Sequence, residues 1–215
     1  MDGKNNKLER LTLFLLGNSA VGKTSFINKY VNDIFSEYYL TTIGIDFVIK
    51  TIKLPTGEDI TLRFYDTAGQ ESYKAISYNL IKNADGIFLL YDITNRKSFD
   101  EINDWIDNIK DNKGDDFPVI LIGNKCDKND KRNIDEKEGQ KLAEKKGFLF
   151  METSCKKGIN IEESVNLLVI KIIEKKKLQR LKEIQEGENG DVNKKKSFNL
   201  EDKKQGQKKK KKCCE

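Results

Sequence analysis

At 215 residues, with 35% charged and 37% apolar positions, the chain is long enough for one well-buried domain and short for two. It holds no histidine, which removes histidine-based triads, histidine-ligated zinc and the usual proton shuttles, and no run approaches the roughly 18 consecutive apolar residues that span a bilayer. The formal charge of +5 is uneven: from Lys175 onward 15 Lys/Arg face 7 Asp/Glu, a net of +8, and the rest of the chain is mildly acidic.

In chain order, apolar runs alternate with amphipathic stretches, the pattern of an α/β sheet. Strands are expected near Leu11–Leu16, Phe47–Leu54, Ile60–Tyr65, Ile87–Tyr91, Val119–Ile122 and Phe148–Met151. The block Leu11–Leu16 is too short for a signal-peptide core, so the protein is expected to stay in the cytosol. Pro55-Thr56-Gly57-Glu58 is a connection short enough to force an antiparallel hairpin. The other connections are long enough for crossover helices, expected at Lys23–Val31, Tyr73–Lys82, Ser98–Lys110, Glu136–Lys146 and from Ile161 onward. Ile161, Val165, Leu168 and Ile172 share one face of the last helix, which Asn160 can cap with Glu163 reaching back. From Glu186 the residues offer little to bury, and disorder is expected.

The first strand runs into Gly17-Asn18-Ser19-Ala20-Val21-Gly22-Lys23-Thr24, followed by Ser25 and a helix. That is the P-loop pattern in its proper context. Its glycines let backbone amides wrap phosphates at a helix N-terminus, Lys23 brings charge to the β- and γ-phosphates, and Thr24 can ligate Mg²⁺. Asp66-Thr67-Ala68-Gly69 ends the third strand, where Asp66 faces such a metal and Gly69 can offer its amide to the γ-phosphate. Alone, this tetrapeptide is also an ordinary turn. Asn124-Lys125-Cys126-Asp127 ends the fifth strand. The Asp127 carboxylate accepts two hydrogen bonds and donates none, matching the N1–H and 2-amino donors of guanine, a pair adenine lacks. Asn124 can bond the base at N7, and the Lys125 stem can cover its face.

These motifs, in this order, resemble the Ras-superfamily small GTPases, and specifically the Rab family of membrane-traffic regulators. The resemblance runs from about Leu11 to Ile173 and again at the C-terminus. It implies a three-layer P-loop G domain over residues 1–177: a six-stranded, mostly parallel sheet with one antiparallel edge hairpin and helices on both faces. It also implies a flexible lysine-rich tail over residues 178–215. Thr41–Phe47 resembles the Rab form of switch I, in which Thr42 binds Mg²⁺ and reports the γ-phosphate, and Phe35 matches the aromatic against the base. Asp66–Glu71 resembles switch II, with Gln70 orienting the attacking water. Glu152–Lys156 resembles the last guanine motif, in which Ser154 buttresses Asp127 and the Cys155 amide meets guanine O6. Departures from the family pattern include Ala20 for Gly, Tyr65 for Trp, Leu80-Ile81 for two tyrosines and Cys155 for Ala.

The resemblance further implies slow hydrolysis of GTP to GDP and dependence on an activating protein, an exchange factor, a dissociation inhibitor or escort protein, and effectors that read the switches. No arginine stands in switch I or beside Gln70 to act as an internal finger. Cys213 and Cys214 resemble the Rab ending that takes two geranylgeranyl groups, and Lys208–Lys212 would assist at an anionic leaflet by about 1 kcal/mol each. Such a protein is a monomeric G domain that cycles between cytosol and the cytosolic face of an intracellular membrane. An ATP-dependent nucleotide kinase would need an arginine-rich lid, which is not visible. A nucleic-acid binder fits poorly with the acidic body and the lack of aromatics among the lysines, so no nucleic acid is expected. A Ras- or Rho-like signalling GTPase is the alternative within the superfamily.

Overall fold

The computed structural model describes residues 9–36, 45–54, 56–67 and 81–209, with side chains throughout except at 45, 46, 67 and 186–209. Its strands are β1 (Glu9–Leu16), β2 (Ile45–Lys53), β3 (Asp59–Thr67), β4 (Gly86–Asp92), β5 (Val119–Asn124) and β6 (Leu149–Thr153). The helices are α1 (Lys23–Asn32), α2 (Arg96–Asp100), α3 (Ile102–Lys113), α4 (Glu136–Lys146) and α5 (Ile161–Lys209), with a 3-10 helix at Cys126–Lys131. The chain divides into two compact units, Met1–Ile172 and Ile173–Glu215.

In the first unit the sheet order is β2-β3-β1-β4-β5-β6. Only β2 and β3 pair antiparallel; every other neighbour pair is parallel. All of β4 and all of β5 are buried, as expected of parallel strands covered on both faces. Alternate residues serve the two faces. Phe14, Leu16, Leu89 and Tyr91 pack with Trp105, Ile106 and Ile109 of α3 and Ala143 of α4. On the other face Phe26 of α1 lies 5.2 Å from Phe88 and Tyr30 lies 5.3 Å from Phe64, centroid to centroid. Gly86 leaves room for α5, since a Cβ there would stand 2.6 Å from Ile172 Cδ1. The expected three-layer arrangement is therefore present, with its antiparallel hairpin at the edge.

Two local expectations need correction. The helix read as Ser98–Lys110 is two helices broken at Glu101. Ser98 resembles an N-cap but sits inside α2, its hydroxyl donating to Asn95 O at 2.7 Å and accepting from Asp92 N at 3.0 Å. Asn160 takes a left-handed φ of 57° rather than the extended cap geometry, and its amide donates to Glu152 O at 2.8 Å, tying the end of β6. Beyond Glu186 the backbone is helical through Lys209. Lys, Glu and Gln favour a helix by local propensity, although Gly187, Gly190 and Gly206 each cost about 1 kcal/mol there. The helix expected over Tyr73–Lys82 falls almost wholly outside the described residues.

Candidate functional site

The loops that leave β1, β3, β5 and β6 all depart from the carboxyl ends of parallel-sheet strands, where open α/β sheets form their ligand crevice. The first loop, Gly17–Gly22, is shaped by positions that tolerate no ordinary side chain. Gly17 has φ 134°, and a Cβ would stand 2.2 Å from Leu90 O. Gly22 has φ 106°, and a Cβ would stand 2.3 Å from Asn124 Nδ2. Ala20 departs from the family's commoner glycine while holding φ 61°, a conformation that costs a non-glycine residue about 1 kcal/mol or more. Ser19 is exposed beside it, and Val21 is buried.

Lys23 opens α1 and is only 5% exposed. Its ammonium donates to Gly17 O at 2.8 Å and Asn18 O at 2.7 Å, so one of its three donors remains for a ligand. Burial pulls its pKa down to about 8, against the opposing pull of the Asp66 carboxylate. A phosphate would satisfy that charge. The first turn of α1 holds no acidic residue, which suits an anion at the helix N-terminus. Thr24 Oγ1 donates to Asp66 Oδ2 at 2.6 Å, bringing two hard oxygen groups together from α1 and β3. Ser25 is half-buried behind them.

This pair tests the fit of a metal. Among the described residues no cluster of three or more His, Cys, Asp or Glu could hold an ion. A hydroxyl and one carboxylate beside a phosphate cradle instead match Mg²⁺, which keeps waters and takes phosphate oxygens rather than filling a protein cage. The residues present fit the ion.

The base side is interlocked with the phosphate side. Asn124 is buried; its amide donates to Val21 O at 2.8 Å, and its carbonyl accepts from Thr153 Oγ1 at 3.2 Å. It braces two loops, with one amide hydrogen left for a base. Lys125, at φ 70°, donates to Ala20 O at 2.8 Å and pairs with Asp92 at 2.7 Å. Its stem therefore spans the mouth between loops, consistent with a cover for a ring. Asp127 is half-buried, and Ser154 Oγ donates to its Oδ1 at 2.5 Å. Ser154 is pinned in turn by Lys157 N and by a two-way backbone bridge to Ile159. Cys155 is buried with its thiol on Asn124 Oδ1 at 3.5 Å, and burial pushes that thiol up to about 12, so it acts as a small apolar group. Lys156 is exposed at the loop surface, and Phe35 is half-buried after α1. Thr42, Gly69, Gln70, Cys213 and Cys214 lie outside the described residues.

Several supports escaped sequence reasoning. Arg132 grips Glu152 with two bonds of 2.6 and 2.7 Å, fixing the segment after Asp127 to the strand before Ser154. Asn18 donates to Glu101 Oε2 at 2.6 Å and accepts from Trp105 Nε1 at 3.1 Å, tying the phosphate loop to α3. Asp92 had one usable signal, its place at the carboxyl end of β4. The others join residues 20 or more apart and carry no local pattern.

The Ras family model matches residues 12–174. The human Ras-related protein Rab-8B is 45% identical over 163 residues, covering 76% of this chain and 78% of its own. The Ras-related protein Rab-8A of Mus musculus and that of Gallus gallus are each 47% identical over 152 residues, covering 71% of this chain and 73% of theirs.

Proposed function

The chain belongs to the Ras family and is a Rab-type small GTPase of membrane traffic, and from that premise we propose which residues run its switch. It binds GTP and GDP and answers to regulators and effectors. The observation that carries the residue assignment is the Ser154–Asp127 bond, which holds a carboxylate at the mouth of the same crevice that buries Lys23.

In this reading Asp127 accepts from guanine N1–H and the 2-amino group, Asn124 donates to N7, and Lys125 covers the ring. The Cys155 amide meets O6, Lys156 flanks the base at the loop surface and Phe35 packs against it. The amides of the Gly17–Gly22 loop and of Thr24 and Ser25 surround the phosphates, and Lys23 supplies the charge they require. Mg²⁺, when bound, would neutralise phosphate charge during hydrolysis. Thr24 and Asp66 would hold it, together with Thr42 of switch I. Gln70 orients the water and Gly69 meets the γ-phosphate. With no histidine, and no arginine beside Gln70, positioning and electrostatics do all the work, so hydrolysis is slow until an activating protein contributes.

Effectors have a ready surface in the edge strand β2, where Phe47 is 53% exposed and Ile49 is also open to solvent. Phe47 lies 6.0 Å from Tyr65 and under the Arg63 guanidinium at 5.3 Å. On the membrane side, no helix among the described residues is long and apolar enough to cross a bilayer. Attachment to the cytosolic face then falls to residues 178–215, with lipid on Cys213 and Cys214 and help from Lys208–Lys212.

Single-turnover hydrolysis tests the assignment. The wild type should turn over GTP slowly with Mg²⁺ and stop when the metal is chelated. Gln70→Leu should bind GTP normally and hydrolyse it at least about tenfold more slowly. An unchanged rate in that variant would remove Gln70 from the mechanism.

A further inference from the structure

Within the second compact unit, α5 carries three large apolar side chains that the described residues leave more than half exposed. Leu178 is 54%, Leu181 58% and Ile184 57% exposed. At 3.6 residues per turn they fall within about 120° of arc, so they form one stripe rather than a scatter. Lys175 and Lys182 border the stripe on one side and Arg180 on the other, while Lys177, Glu174 and Gln185 fall within its arc; the Lys177 stem can lie along the apolar surface and lift its ammonium clear. We propose that this stripe seats α5 on an anionic lipid surface, as an interfacial helix distinct from the cysteine pair at the end of the chain. The inference rests on the membrane reading above and deepens it.

Charge selects the occupant. Residues 173–215 hold 15 Lys/Arg against 8 Asp/Glu. Of these, 12 Lys/Arg and 7 Asp/Glu lie along the helical backbone from residue 173 to 209, a length of roughly 55 Å. A compact acidic partner would meet only part of that length, whereas a leaflet of acidic headgroups meets all of it. A second copy of the chain is a poor fit. In a coiled-coil register that places Leu178 and Leu181 on the seam, the neighbouring seam positions are Lys171, Glu174 and Gln185, so the apolar seam lasts one heptad where three or four are needed. The helix is therefore amphipathic over a short span, basic at its borders and unsuited to self-pairing, which is the pattern of a helix lying in a membrane interface.

The test uses the full GDP-bound chain carrying Cys213→Ser and Cys214→Ser, so that no lipid group contributes. Vesicles of equal parts phosphatidylcholine and phosphatidylserine are compared with phosphatidylcholine alone. The protein should partition to the anionic vesicles, and the triple variant L178Q/L181Q/I184Q should bind them about tenfold less tightly with unchanged GDP affinity. In a separate Leu181→Trp variant, emission should shift to the blue with anionic vesicles. Equal partition of the triple variant and its parent, or an emission spectrum unmoved by vesicles, would overturn the proposal. So would a dimer in sedimentation velocity that the triple variant dissolves, which would assign the stripe to a second copy. Loss of GDP binding would instead sink the nucleotide assignment and leave vesicle partition untouched, so the two failures are distinguishable.

Discussion

The two halves of the sheet do different work. In β4 and β5 every residue is buried, and the loops beyond them are locked to one another by Asn124, Lys125, Ser154 and the Arg132–Glu152 pair. On the other side, β2 is an edge strand with Phe47 and Ile49 turned to solvent, and among the described residues it pairs only with β3. The inner half is a fixed frame that holds ligand-facing groups in place. The outer edge keeps apolar area uncovered at a cost in solubility, which is reasonable only if something else covers it. Rigidity and readability are separated across one sheet.

Substitutions in the inner half should show large, specific losses. The largest is expected at Lys23→Ala, where GDP and GTP affinity should fall by more than about a hundredfold, near 3 kcal/mol, as a buried charge-assisted contact disappears. The nucleotide-free fold should not weaken alongside it. Burial depresses the Lys23 pKa to about 8, so the ammonium is held there at a cost in stability, which its removal relieves. Titration calorimetry and thermal unfolding of both forms would check the two halves of this statement. A Lys23→Ala protein that binds normally would break the assignment of the phosphate cradle.

A smaller effect is expected at Gly17→Ala. The added Cβ would stand 2.2 Å from a carbonyl of β4 at φ 134°, so β1 and β4 must part locally. Stability should drop by about 2 kcal/mol or more, read as a lower urea midpoint. An unchanged midpoint would show that the frame is softer than its packing implies.

The smallest effect on the fold belongs to the outer edge. Phe47→Ser removes a half-exposed ring and its cross-strand contact with Tyr65, and should cost about 1 kcal/mol of stability, with GDP affinity intact. Binding of GTP-state partners should nevertheless fall. If Phe47→Ser unfolds the protein instead, the edge is part of the frame and the contrast between the two halves fails.

How much of this was legible in the sequence follows from the range of the interactions. Strands were readable because parallel-sheet strands are short, continuous apolar runs. Helix α4 was readable to the residue because its ends are local: Asp135 accepts from Lys137 N at 2.8 Å, and Gly147 closes the helix at φ 72°. The motifs Gly17–Thr24 and Asn124–Asp127 were readable because one short segment carries each. The Arg132–Glu152 grip, the inward turn of Asn124 and the bridge from Lys125 to Ala20 were not, since each exists only once distant loops meet. Asn160 misled for the opposite reason: its local pattern reads as a cap, and a tertiary bond to Glu152 claims its amide instead.

In the proposed switch, a rigid frame presents Asp127 to a guanine base. Competition binding of GDP and XDP to the wild type and to Asp127→Asn measures this most directly. The carboxylate needs two donors on the base, whereas the Asn amide brings a donor that suits the 2-oxo group of xanthine. Preference should therefore cross from GDP to XDP by about a hundredfold or more, with the thermal unfolding temperature nearly unchanged. A variant that still prefers GDP would contradict the account, because the base would then be read by some group other than the one Ser154 holds in place.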